Sequence, residues 1–191
     1  MRLVRADAWL MDILRTAGDV VPSEWAVTSG TIRNLVWDHL HGHEAATPVK
    51  DVDVAFFDRV DVSRERDKAL EEALRARLPE VPWEVTNQAG VHLWYAGRFG
   101  HEIPPIVSLE DGISRNPEIA TSIGIRLEAD EAVTVIAPCG LVDLFEMILR
   151  HNPKQVPRDY FLQRLREKRI REQWPKVSVI DLDRPARQLP G

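Results

Sequence analysis

The chain has 191 residues, of which 44% are hydrophobic and 29% charged, with a net charge of -5. That profile suits one ordinary globular domain with a substantial core and excludes an overall basic signature for nucleic acid. A lone cysteine, Cys139, excludes an internal disulfide and a cysteine-based zinc site, and no apolar run approaches the roughly 18 residues needed to cross a membrane.

The N-terminal M-R-L-V-R-A-D-A-W lacks a long apolar region and a cleavage site, so no signal peptide is expected and a cytoplasmic protein is the default. Ala6 to Ala17 carries Trp9, Leu10, Ile13 and Leu14 at helical spacing, with Gly18 where a helix stop is expected. After a turn at Pro22-Ser23, Trp25 to Thr28 is short, apolar and extended in character. Ser29-Gly30 follows, and Ile32, Leu35, Val36 and Leu40 restore helical spacing. This piece reads as strand, tight turn, helix. A glycine there permits close backbone approach, and a helix start offers free N–H groups to phosphate oxygens, although such a turn also occurs without any ligand. His39, His41 and His43 fall at the helix end beside Gly42, where a surface loop explains them better than a metal site.

Lys50 to Phe57 is the clearest strand. Alternation puts Asp51 and Asp53 on one face and Val52 and Val54 on the core face, with Lys50 opposite Asp51. Two acids on one face repel each other and resist desolvation. The run V-D-V-A-F-F reads as largely buried, which favours a divalent cation over a wet strand edge.

Ser63 to Leu78 is a charged, solvated helix. Pro82 to Asn87 is a second strand, expected to run on through Q-A-G-V-H-L-W-Y to Tyr95. Glu84 is either a third carboxylate beside the Asp pair or an exposed strand residue. Asn87, Gln88 and His92 are polar among apolar neighbours, so a structural hydrogen-bond network competes with ligand binding. Gly97 to Pro105 is a loop, and Leu109 to Ala120 is partly helical. Ser122 to Glu128 and Ala132 to Ile136 form a hairpin, Leu141 to Leu149 a helix with Asp143 near its N-terminus, and Val177 to Ile180 a last edge strand. Between Lys154 and Lys176 eight Lys/Arg face three acids, so this segment carries +5 and the remainder -10. A helix from Arg158 to Trp174 bears most of that charge. The expected organisation is one domain over residues 1–180 and a polar, disordered tail over 181–191.

The order of strand, Ser-Gly turn, helix with Arg33-Asn34, and a strand with Asp-x-Asp resembles the polymerase-β nucleotidyltransferase superfamily. T-S-G-T-I-R-N (28–34) and K-D-V-D-V (50–54) follow the layout of the head domain of CCA-adding enzymes. Further pieces, R-N-L-V-W-D (33–38), W-E-V-T-N-Q-A-G-V-H (83–92), A-P-C-G-L-V-D-L-F (137–145) and Trp174-Pro175, resemble a family of small bacterial nucleotidyltransferase-like proteins. Together they span about Val20 to Trp174. Asn34 stands where CCA-adding enzymes carry Asp, Ser29 stands for a Gly, and Gly90-Val91 replaces Arg-Met. No segment corresponds to their base-selecting or tRNA-binding domains.

The resemblance implies an α+β fold, a mixed central sheet flanked by helices. It implies nucleotidyl transfer from a nucleoside triphosphate such as ATP to an acceptor hydroxyl, with Mg²⁺ (two ions, Mn²⁺ substituting) about 3.5–4 Å apart. Asp51 and Asp53 would be the catalytic metal ligands with Glu84 a third. Ser29, Gly30, Thr31 and Arg33 would hold phosphates, and Asn87 and His92 would contact the nucleotide or acceptor. The acceptor is unidentified. RNA or a protein docking on the basic C-terminal helix is one alternative, and a catalytically silent nucleotide-binding module is another.

Overall fold

The computed structural model describes residues 2–22 and 24–180, so the tail expected at 181–191 lies outside the described residues. The chain is α+β. Its elements begin with α1 (Arg2–Ala6), α2 (Ala8–Val20), β1 (Glu24–Thr28), α3 (Gly30–His41), β2 (Val52–Phe57), α4 (Arg64–Arg77) and β3 (Trp83–Asn87). They continue with α5 (Val91–Phe99), α6 (Leu109–Ile113), β4 (Gly124–Leu127), β5 (Val133–Ile136), α7 (Val142–Phe145), β6 (Ile148–Arg150), α8 (Arg158–Lys168), α9 (Ile170–Gln173) and β7 (Ser178–Ile180). Among the described residues the main sheet has the order β3-β2-β1-β4-β5, mixed because β2 and β3 run parallel while the other pairs are antiparallel. A small parallel pair, β6-β7, closes the C-terminal part.

Strand alternation divides the sheet into two faces. Trp25 and Val27, Val52, Val54 and Phe56, Trp83 and Val85, and Ile125 enter the main core with Leu10, Ile13 and Leu14 of α2 and Leu70 and Leu74 of α4. The opposite face carries Ala26 and Ala55, covered by Leu109 and Ile113 of α6. The N-terminal end of β2 on that second face, where Asp53 lies, is not part of this apolar cluster.

Several sequence expectations shift. The helix expected to stop at Gly18 continues to Val20. The strand expected to reach Tyr95 ends at Asn87, because the Asn87 carboxamide accepts from the Ala89 N–H at 3.1 Å and opens a 3₁₀ turn leading into α5, which takes in the start of the expected loop. The helix expected over Leu141–Leu149 is a single turn, ended by a left-handed Met147 (φ 54°) and followed by β6. Arg150 of β6 pairs with Asp143 at 2.8 Å, which gives Asp143 an ion partner as well as its helix-start position. The basic helix breaks at Arg169, whose φ of 46° starts a second short helix in a new direction.

The C-terminal segment is fastened to α3 by buried polar contacts. Asp38 accepts from the Trp174 indole at 2.7 Å, from the Thr47 amide and hydroxyl at 2.7 Å each, and contacts His43 at 3.0 Å. Burial pushes this carboxyl up, but the Thr47, Trp174 and His43 bonds outweigh it and hold Asp38 below its ordinary range. His41 likewise joins the Trp37 carbonyl to the Lys176 amide. His41 and His43 are therefore engaged in structural bonds, while His39 is exposed. Replacing Asp38 by Ala strands these buried donors, and urea unfolding should register a loss of about 2–3 kcal/mol. A loss under about 0.5 kcal/mol, the range of an ordinary surface substitution, would show that Asp38 does not fasten the segment.

Candidate active site

The site is built on three backbone pieces. β1 ends at Thr28, and Ser29 turns the chain with φ 62° and ψ -125°, a conformation that side chains other than glycine adopt at a cost. The Ser29 carbonyl accepts the first bond of α3, from the Arg33 amide. The Ser29 side chain does not cap the helix, so it supplies no acceptor to the first N–H groups of α3. The Ser29 hydroxyl instead accepts from Asn116 at 3.0 Å and bonds Asp53.

β2 and β3 bring the acids together. Their parallel register sets Asp53 directly beside Glu84, and Asp51 immediately precedes β2 with its charge acting on Asp53. Burial, then the charges of Asp51 and Glu84, push the Asp53 carboxyl up to about 7, against the pull of Lys168 and the Ser29 bond. Glu84 and Asp51 are exposed, so the cluster opens to solvent. Among the described residues no group of three or more His, Cys, Asp or Glu converges as a preformed metal cage. The donor chemistry nonetheless fits a hard divalent cation: every candidate ligand is a carboxylate oxygen, and Asp53 carries more neighbouring negative charge than its surroundings neutralise.

A cavity of ≈ 310 Å³ adjoins the cluster, lined by Gly30, Arg33, Asn34, Lys50 and Asp51 on one wall and by Arg164 and Lys168 on the other. Lys50 lines this cavity with Asp51, contrary to the expected opposite facing, because β2 begins only at Val52 and alternation does not extend to residue 50. Arg33 is 5% exposed, with its guanidinium 5.4 Å from the Trp37 ring centre and 5.1 Å from that of Trp174. Two of its nitrogens donate to Asn34 Oδ1, at 3.2 and 2.7 Å, while Nη1 has no partner. Burial lowers the Arg33 pKa, opposed first by the charge of Glu118.

The other expected contacts are not brought together here. Thr31 is buried with an unpartnered hydroxyl, but it lines a neighbouring hollow against α1 and the 45–49 loop. Asn87 is 2% exposed and committed: its oxygen accepts from Asp58 and Ala89, and its nitrogen donates to the Asp58 and Asp61 carbonyls. His92 has a buried, unpartnered Nδ1 and does not line the cavity. The reason is the 3₁₀ turn at 88–90, which carries His92 onto α5 instead of along the strand. Conversely, sequence reasoning left Glu118 out. Its carboxylate is 3% exposed, accepts from Arg164 at 3.0 Å and from Thr121 at 3.1 Å, and lies among Arg33, Arg164 and Lys168. An isolated Glu in S-R-N-P-E-I-A carries no pattern that reveals this.

A family model described as nucleotidyltransferase matches residues 18–179. No curated protein matches the chain. A solution structure described as revealing a CCA-adding enzyme head domain is 26% identical, with a TM-score of 0.76 over 94% of this chain and 93% of that one. A CCA-adding enzyme in complex with CTP superposes with a TM-score of 0.61 at 14% identity, over 95% of this chain and 43% of the enzyme. The Thermotoga maritima CCA-adding enzyme complexed with tRNA gives 0.58 at 16% identity, over 94% and 41%. The chain thus spans nearly the whole of the head-domain structure and about two fifths of the length of these two enzymes.

Two outcomes test the geometry. The unfolded Asp53 carboxyl ionises near its ordinary 3.8 and the folded one near about 7. The folded state therefore loses stability as pH rises through that window, and the loss is complete above it. Asp53→Asn should raise the melting temperature of the metal-free protein at pH 8 and raise it less at pH 4. An equal effect at both pH values would contradict the shift. At Ser29, glycine relieves a backbone cost of about 1–3 kcal/mol and loses a hydroxyl bond of about 1 kcal/mol. Ser29→Gly should therefore be no less stable than wild type in urea, and Ser29→Ala clearly less stable. Equal losses would remove the strain argument.

Proposed function

The chain belongs to the nucleotidyltransferase family whose model spans residues 18–179, and on that premise we propose that it transfers a nucleoside monophosphate from a nucleoside triphosphate to an acceptor hydroxyl in a Mg²⁺-dependent reaction. The observation that carries this reading is Asp53 set beside Glu84, with Asp51 adjacent, next to an uncapped helix start and a cationic cavity.

Asp51, Asp53 and Glu84 would hold the divalent cations, with Mn²⁺ able to substitute. Bound there, the cations would neutralise phosphate charge and acidify the attacking hydroxyl. The N–H of Gly30, at the start of α3 on the cavity wall, would bind phosphate oxygens, helped by the helix dipole. Arg33, held by the two tryptophans and Asn34, would offer its free Nη1 to the same phosphates. The acceptor oxygen would form a bond to the α-phosphorus as the bond from that phosphorus to the β-phosphate bridge oxygen breaks. Pyrophosphate would leave, and the hydroxyl proton would pass to a carboxylate oxygen of the cluster.

Structures of CCA-adding enzymes with CTP and with ATP support a nucleoside triphosphate donor. The acceptor is a separate matter, because the domains that complete the longer enzymes have no counterpart in these 191 residues.

The test incubates the protein with Mg²⁺, labelled nucleoside triphosphates and cell extract, and reads pyrophosphate release and label transfer. Asp51→Asn and Asp53→Asn should each lower transfer by about 100-fold or more, with a folded circular-dichroism spectrum retained. Transfer that survives both substitutions would contradict the assignment.

A further inference from the structure

We propose that Lys168, the last residue of α8, grips the phosphate tail of the donor, so that the C-terminal helix pair selects triphosphates over shorter phosphates; this rests on the nucleotidyl-transfer reading above. The cavity beside the carboxylates is lined by five cations, Arg33, Lys50, Arg164, Lys168 and Arg169, against the acids Asp51 and Glu167. Its far wall is the end of α8 and the start of α9. The left-handed turn at Arg169 ends α8 at Lys168 and redirects the chain, which keeps both residues on the cavity wall.

The cations of this wall are not equivalent. Arg164 is committed to the buried Glu118 at 3.0 Å, and Arg169 extends toward Glu172 at 3.6 Å. Lys168 has no hydrogen bond or ion pair among the described residues. Its ammonium is nevertheless drawn in from water, and burial followed by the charge of Arg164 lowers its pKa. Glu118 and Asp51 act on it from a distance against Arg164 and Arg33, but neither makes a direct bond to the ammonium, which leaves its donors open to an anion in the cavity. Across the cavity, the free Nη1 of the buried Arg33 is open in the same way. An anion that satisfies both must span the cavity from the Gly30 turn to α8. A chain of linked phosphates suits this, because the end near Asp51 can meet the cation site while the distal end meets Lys168. The cavity, at ≈ 310 Å³, lies at the small end of the about 300–1,000 Å³ of ligand sites.

The same observation argues against α8 as an RNA dock. An electrostatic dock presents its charges outward to a long backbone. Here Arg164 and Lys168, central to the basic segment, turn inward to a short cavity instead.

Fluorescence or calorimetric titration with inorganic tripolyphosphate, orthophosphate and a single-stranded oligouridylate, in Mg²⁺ buffer, tests the proposal on the full chain. Lys168→Met should weaken tripolyphosphate binding about tenfold, the effect of one charge-assisted contact. It should leave the much weaker orthophosphate binding nearly unchanged. Lys168→Arg should restore most of the affinity, and Arg171→Gln, on the next helix but off the cavity, should change nothing. Circular dichroism checks that each variant is folded. If wild type binds tripolyphosphate and Lys168→Met binds it equally well, the Lys168 proposal fails while nucleotidyl transfer stands. If Lys168→Met loses oligouridylate but not tripolyphosphate, the helix docks RNA and the proposal is overturned. If wild type binds neither tripolyphosphate nor a nucleoside triphosphate, both readings fall.

Discussion

The Asp53 carboxylate is the group on which the rest of the site depends. It is held on a central strand, beside Glu84 and next to Asp51, with burial and both charges opposing its ionisation. A chain can afford such a cluster only where something positive offsets it. Two kinds of positive charge flank this one. The first N–H groups of α3 follow the Ser29 turn without a side-chain cap, and the cations Arg33 and Lys168 line the adjoining cavity. Asp53 is linked to the turn directly through the Ser29 hydroxyl, so the acid and the helix start are set by the same hydrogen bond.

Buried charge connects this centre to the end of the chain. Glu118 stays ionised in spite of its burial because Arg164 and Lys168 oppose that burial. Asn116, two residues earlier, donates to Ser29. The segment that carries Glu118 therefore touches the turn on one side and α8 on the other. Asp38 and Trp174 make a second fastening, and Arg33 lies against both Trp37 and Trp174. The C-terminal helices are accordingly a wall of the site and not an appendage to it.

Much of this was legible in the sequence because it rests on local pattern. The Ser-Gly turn, the β2 strand, the α4 helix and the β4-β5 hairpin follow from spacing and turn residues. The adjacency of Glu84 and Asp53 was only one option until the parallel register of β2 and β3 decided it. What stayed hidden depends on single backbone torsions or on long-range pairing. The positive φ values of Met147 and Arg169 break helices that periodicity would continue. Asn87 looked available for a ligand because an amide's bonding partners, here Asp58, Asp61 and Ala89, cannot be read from its neighbours in sequence. The inward turn of Arg164 and Lys168 was hidden for the same reason: charge counting gives sign and amount but not direction.

The central claim is that the carboxylates beside the Ser29 turn form the divalent-cation site. Its most direct test is paramagnetic broadening of backbone amide NMR signals during titration with Mn²⁺. The account predicts that the signals of Gly30, Asp51, Asp53 and Glu84 broaden first and that Mg²⁺ in excess restores them. Early broadening at His39–His43 instead, with the Asp53 region unaffected, would contradict it.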